Sequence, residues 1–150
     1  MAAIFIIFIA ALTFVDAPKK VEGPPRACFK NNVCLDLILA KSTEEKTIGL
    51  SNYSSMHATQ GMLFIFRNSA ERSMWMKNMS FNIDIMWLSA DRRIGYIEEN
   101  LEPCIREDCD VFSPKVKAKY ILEAKAGFVE YTNLYLNDPV EFQNVQEDLI

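Results

Sequence analysis

The alternation of apolar and polar positions is clearest between residues 75 and 88. Successive side chains of a β-strand point to opposite faces, so every second residue shares a face. The odd positions here are apolar except for Lys77, whereas the even positions are polar from Asn78 to Asp84. The pattern predicts strand structure with one buried face. It leaves open whether the polar residues form a site or only face solvent.

Other segments of strand length occur along the rest of the chain. Residues 33–39 alternate between apolar and polar, which predicts a half-buried strand. Residues 62–66 are continuously apolar, which is typical of a strand that is buried on both faces. Further strand-like runs are found at 94–97 and 118–123, and residues 134–142 finish the domain with a strong turn signal at 137–139.

Helix signals are few. Ser42 and Glu45 have the spacing of a capping box and predict a short helix that ends near Gly49. Residues 128–131, after Gly127, predict one or two further helical turns. The chain is therefore predicted to be mainly β, at most α+β: a compact antiparallel sandwich or barrel of about six to eight short strands with one or two short helices.

The N-terminal residues differ in character from the rest. Residues 2–15 are apolar apart from Thr13, and a lysine- and proline-containing segment follows. Such a run fits the apolar part of a signal peptide and is short for a membrane span of about 20 residues. A buried helix of the domain is the alternative. We expect a signal peptide or short membrane anchor at 1–17, a linker at 18–27, a single β domain at 28–142 and a polar tail at 143–150.

The cysteines form two close pairs, Cys28 with Cys34 and Cys104 with Cys109. Zinc ligands come more often as pairs separated by two residues, so two local disulfides are the favoured interpretation. Reduced thiols, or one metal site made of all four cysteines, are the alternatives. Disulfides and leader together predict an extracytoplasmic protein, periplasmic or at the cell surface, with possible attachment to the membrane through residues 2–15.

The spacing of the first cysteine pair predicts the loop between them. A two-residue loop at Asn31 and Asn32 would place the two cysteines on opposite faces, where no disulfide can join them. A three-residue loop that also includes Lys30 would place them directly opposite each other, and an asparagine tolerates the left-handed conformation that such a loop needs. We therefore predict the three-residue loop, with the bridge on the more exposed face of the hairpin.

Composition and charge exclude several classes of function. The chain has 150 residues, of which 50% are hydrophobic, so it can form one domain with a core and is not a disordered chain. A net charge of −4 argues against a nucleic-acid partner, which needs a basic surface. The five glycines show no phosphate-loop spacing. We expect no cofactor and no metal.

Six short motifs occur in a fixed order along residues 28–142. They are GL at 49–50, GMLFIF at 61–66, WMKNM at 75–79, IDIMWL at 83–88, YILEAKAG at 120–127 and LYLNDPV at 134–140. In this order they resemble the family known as domain of unknown function 192. The resemblance implies a small, mainly β domain, often behind an export signal, with no assigned biochemical activity.

The chain departs from the family pattern at three places. The arginine that often follows the Gly-Leu pair is absent from residues 52–54, so no role of that arginine can be transferred. The usual proline before the aliphatic–Asp pair is Asn82. The usual late glycine is Asn137, which can still adopt the left-handed conformation of a turn.

Four polar residues match polar positions of the family motifs: Lys77, Asn78, Asp84 and Glu123. A hydrolase-like enzyme could use Asp84 and Glu123 as a carboxyl pair, with Lys77 as an electrostatic clamp and Asn78 as a hydrogen-bond donor. In the structural interpretation, the aliphatic part of Lys77 packs on aromatic surface and Asn78 stabilises a turn. The first alternative requires the two carboxyl groups to share a cleft.

A binding site is the leading expectation, without catalysis. Its candidate residues are Met62, Trp75, Lys77, Asn78 and Asp84, which could combine an apolar wall with a polar rim. The aromatic and methionine residues are, alternatively, ordinary core. The sequence thus predicts an exported β domain that binds an unknown small ligand or an envelope protein.

Overall fold

Nine strands and two short helices follow one another in the computed structural model, which describes residues 23–146. The strands are β1 (Arg26–Cys28), β2 (Cys34–Ala40), β3 (Gln60–Glu71), β4 (Met74–Trp75), β5 (Ile83–Leu88), β6 (Ile94–Leu101), β7 (Val111–Phe112), β8 (Lys117–Lys125) and β9 (Glu141–Gln143). The helices are α1 (Thr43–Ile48) and α2 (Phe128–Thr132). The prediction of a mainly β fold with one or two short helices is confirmed.

Parts of the predicted domain organisation lie outside the described residues. These are the leader at 1–17, residues 18–22 of the linker and residues 147–150 of the tail. Within residues 23–146, no helix is long and apolar enough to span a membrane.

Seven strands form one curled sheet in the order β6-β5-β8-β3-β2-β1-β9, and β4 pairs with β7 in a small second sheet. All neighbours are antiparallel except β2 and β3, which run parallel. The sequence favoured an antiparallel arrangement. The parallel pair arises because the connection from β2 to β3 crosses over through α1 instead of turning back directly.

Helix α1 begins with the predicted capping box. The Ser42 hydroxyl accepts a hydrogen bond from the Glu45 backbone N–H at 3.1 Å. The Glu45 carboxylate accepts in return from the Ser42 backbone N–H at 2.8 Å. These two reciprocal bonds satisfy N–H groups that have no partner inside the helix.

The large sheet buries side chains on both faces. One face, here the Leu122 face, carries Leu122 of β8 between Leu63 of β3 and Met86 of β5. The other, the Glu123 face, carries Glu123 between Met62 and Ile85. Helix α2 packs on the Leu122 face through Phe128 and Val129, and the chain around Leu50, Met56, Met76 and Met79 covers the Glu123 face. Each fully buried Leu or Ile contributes roughly 2 kcal/mol of transfer free energy.

The alternating stretch at 75–88 is not one strand. Strand β4 ends at Trp75 and β5 begins at Ile83, and between them Asn78 has a φ of 60°. The Asn78 backbone N–H donates to the carbonyl of Cys104 at 3.1 Å instead of to a sheet neighbour. All six residues of β5 are buried, so its polar position, Asp84, does not face solvent.

The hairpin between β1 and β2 has the predicted register. Cys28 is directly opposite Cys34, and the two form a disulfide. The loop is a three-residue turn, Lys30–Asn32, in which Asn31 has a φ of 75°. Cys28 is buried and Cys34 is half-buried, so the bridge is less exposed than predicted. The second predicted disulfide, Cys104–Cys109, is also present.

Candidate functional site

Asp84 is a buried carboxylate with two backbone partners. Its Oδ1 accepts from the Asn100 backbone N–H of β6 at 2.9 Å. Its Oδ2 accepts from the Val129 backbone N–H of α2, also at 2.9 Å. The side chain has no exposed surface. Asp84 therefore joins β5, β6 and the first turn of α2, and both of its oxygens are already engaged.

Glu123 is a buried carboxyl group on the central strand β8. It lies on the Glu123 face between Met62 and Ile85, and only 3% of it is exposed. Its Oε2 has no hydrogen-bond partner among the described residues. Burial raises the pKa of the Glu123 carboxyl to about 8, because an apolar surrounding disfavours the charged form.

The two carboxyl groups do not form a pair. Asp84 is opposite Ala124 in the β5–β8 ladder, and Glu123 is opposite Ile85, the residue after Asp84. Because neighbouring positions of a strand point to opposite faces, the sheet separates the two side chains. The shared cleft that the hydrolase interpretation required is contradicted by this register.

The WMKNM segment lies outside the large sheet. Trp75 is 50% exposed, and the Lys77 ammonium is 5.7 Å from the centre of its ring. Asn78 is exposed and forms the turn described above, while Met76 between them is buried. The Lys77 side chain thus lies on aromatic surface, as the structural interpretation of this residue expected.

The structure brings only some of the candidate residues together. Trp75, Lys77 and Asn78 share one short segment, whereas Asp84 is enclosed on the Leu122 face. Met62 lines a cavity of about 340 Å³ together with Ile38, Ile48 and Tyr53. None of the other four candidates contributes to the wall of that cavity.

A more apolar cavity, here the α2 cavity, lies beside helix α2. Its volume is about 380 Å³, and its walls include Val33, Ala58, Phe128 and Tyr131. Lys125 is the one charged residue among those that line it. Sequence reasoning missed this site because residues 33, 58 and 125–131 meet only in the fold. The AKAG end of the YILEAKAG motif was the one available signal.

Comparison with a solved structure establishes the fold first. A structure from Novosphingobium aromaticivorans DSM 12444, described as a protein of unknown function, has 23% sequence identity and a TM-score of 0.70, over 79% of this chain and 83% of that chain. It shows a shared fold. No curated protein matches the chain.

The family is shown by a match to a family model. The model DUF192, described as "Uncharacterized ACR, COG1430", matches residues 27–142. A structure from Sinorhizobium meliloti 1021, described as a "putative transcription regulator", is 27% identical with a TM-score of 0.71, over 81% of this chain and 93% of that chain. The chain belongs to the DUF192 family, as its motifs indicated.

Burial of Glu123 makes stability depend on pH. Between the ordinary pKa of 4.5 and about 8, the folded chain keeps a proton that the unfolded chain has released. The contribution of Glu123 to the free energy of unfolding is fully present below about pH 4.5. It then decreases by on the order of 1 kcal/mol per pH unit and is lost at about pH 8. Glu123→Gln cannot ionise, so its free energy of unfolding should fall less over this range.

Urea unfolding of both proteins at about pH 5 and about pH 8 measures this difference. Glu99→Gln is the matched control, because Glu99 is exposed on β6. The control should keep the pH dependence of the unmodified chain. An equal loss of stability in the Glu123→Gln variant and in the unmodified chain would show that Glu123 does not hold a proton in the folded state.

Proposed function

We propose that this domain binds, without catalysing a reaction, a small and mainly apolar molecule with an anionic group. The observation that carries the proposal is the α2 cavity, which combines apolar walls with the single cation Lys125. Small-molecule sites are typically concave and apolar, with few polar groups that fix the orientation of the ligand. An ammonium at the wall favours a carboxylate or a similar anion on the bound molecule.

The state of the two family carboxylates supports binding without catalysis. Asp84 uses both oxygens to accept from backbone N–H groups, and Glu123 is buried on the opposite face of the sheet. Paired-carboxylate hydrolysis needs both groups at one substrate. The described residues of the α2 cavity contribute no acid–base pair to its wall.

We place the domain outside the cytoplasm, periplasmic or at the cell surface. Two features support this: the apolar run at residues 2–15 and the two local disulfides. Residues 2–15 would serve either as a cleaved signal or as a membrane attachment. A nucleic-acid partner is not part of the proposal, because the net charge is −4.

An envelope protein is the second candidate for the partner, and a particular surface favours it. Trp75 of β4 is directly opposite Val111 of β7, and they are 50% and 59% exposed. Lys77 lies beside the Trp75 ring, and Asn78 follows it. Exposed aromatic side chains with a neighbouring cation are common at protein interfaces.

A thermal-shift screen with small aryl and alkyl carboxylates tests the α2 cavity. A ligand present at about 100 times its Kd should stabilise the folded chain by roughly 3 kcal/mol. Lys125→Glu should abolish the shift by reversing the charge at the wall, and Tyr131→Ala should weaken it by removing an apolar wall. Isothermal titration of the hits gives the affinities.

Three variants serve as controls for this screen. Lys117→Glu changes an exposed lysine at the other end of β8, and Tyr135→Ala removes an exposed tyrosine that does not line the cavity. Both should bind as the unmodified chain does. Trp75→Ala should also leave binding unchanged. If Trp75→Ala abolishes binding while Lys125→Glu preserves it, the ligand site is the WMKNM segment and the proposal for the cavity fails.

Localisation has its own experiment. We expect added protease to digest the domain in cells whose outer barrier has been opened but whose cytoplasmic membrane is intact. Protein alkylated at harvest should give non-reduced peptides that link Cys28 to Cys34 and Cys104 to Cys109. Protection from protease together with four free thiols would contradict export.

A further inference from the structure

Methionine side chains are concentrated on one face of the large sheet. Four of the chain's seven methionines, Met56, Met62, Met76 and Met79, belong to the buried cluster on the Glu123 face. A fifth, Met74, packs against that cluster from its edge. Met86 belongs to the cluster on the opposite face. The Glu123 face therefore collects most of the thioether sulfur atoms of the chain.

An oxygen without a partner projects into this methionine cluster. Glu123 lies between Met62 and Ile85, which are both members of the cluster, and only 3% of the residue is exposed. Its Oε2 accepts no hydrogen bond from any described residue. A buried polar atom of this kind costs free energy unless a water, an ion or another group satisfies it. Ordinary core packing explains methionines, but it does not explain this carboxyl group.

Met62 connects the cluster to the wall of a cavity. This residue lines the open cavity of about 340 Å³ whose wall includes Tyr53 of the loop after α1. Met62 is at the same time the direct neighbour of Glu123 across the β3–β8 ladder. Met62 therefore belongs both to the wall of the cavity and to the immediate surroundings of Glu123.

We propose that the Glu123 face binds a soft monovalent metal ion, Cu(I), through Met62, its neighbouring thioethers and the Glu123 carboxylate. Thioether sulfur is a soft, neutral donor and selects Cu(I) over hard divalent ions. The Glu123 carboxyl group releases its proton to solvent when the ion binds, and the carboxylate that remains balances the charge of the ion. Binding forms only donor bonds from sulfur and oxygen lone pairs to the ion, so no electron is transferred and copper stays Cu(I).

The cysteines leave methionine as the soft donor of this domain. All four cysteines are in disulfides, and no free thiol occurs in residues 23–146. No group of three or more His, Cys, Asp and Glu side chains in that range could hold a metal. The expectation of no metal site rested on the spacing of the cysteines and did not include thioether donors. The proposal is independent of ligand binding in the α2 cavity.

The test is an anaerobic competition for Cu(I) between the purified full-length chain and a coloured chelator. We expect the chain to remove one equivalent of Cu(I) from the chelator. Met62→Leu and Glu123→Gln should each weaken binding at least tenfold, because the first removes a thioether donor, the second removes the negative charge, and both keep the side-chain volume nearly unchanged. Met86→Leu is the matched control: Met86 is equally buried but lies on the Leu122 face, so its affinity should not change.

X-ray absorption at the copper edge gives a second readout. It uses the unmodified chain, so it does not depend on whether a variant folds. Sulfur neighbours of copper must be thioethers, because the cysteines are in disulfides. We expect sulfur together with at least one oxygen neighbour. Failure to compete for Cu(I), copper with only oxygen and nitrogen neighbours, or an equal loss of affinity in Met86→Leu would each overturn the proposal. Tighter binding of Zn(II) than of Cu(I) would overturn it as well.

Discussion

The packing of α2 and β6 against β5 depends on the two hydrogen bonds that the Asp84 carboxylate accepts. This carboxylate receives one backbone N–H from β6 and one from the first turn of α2, each at 2.9 Å. Hydrogen bonds to a charged acceptor are stronger than neutral ones, and here they join residues 16 and 45 positions away from Asp84. Helix α2 has only five residues, too few to be stable alone, so it needs such contacts and its apolar packing.

Burial of the central strands on both faces explains why the two motif carboxylates differ so much. Strands β5 and β8 lie side by side inside the sheet, so a polar side chain in the buried stretch of either strand is cut off from water. Asp84 meets two donors on its face, whereas Glu123 meets methionine and isoleucine on the other. One carboxylate thus stabilises the fold, whereas the other is a buried group whose Oε2 has no hydrogen-bond partner among the described residues.

Sequence reasoning succeeded where the cause of a feature is local. The Cys28–Cys34 register follows from loop length, and the α1 capping box follows from two residues three positions apart. It failed where partners are distant in the chain: the donors to Asp84, the parallel β2–β3 pair and the walls of the α2 cavity were not visible. The pattern at 75–88 predicted strand structure with one buried face, but β5 is buried on both faces and the left-handed Asn78 separates β5 from β4.

The central claim is that Asp84 holds α2 and β6 to β5. Amide hydrogen exchange in the Asp84→Asn variant is its most direct test. Asparagine keeps the shape but turns an NH₂ group toward a donor, so the variant should lose roughly 2 kcal/mol of stability. Protection of the Val129 and Asn100 amides should fall first. Asp36→Asn, at an exposed carboxylate of β2, is the control and should change neither amide. Unchanged protection of both amides in Asp84→Asn would contradict the account.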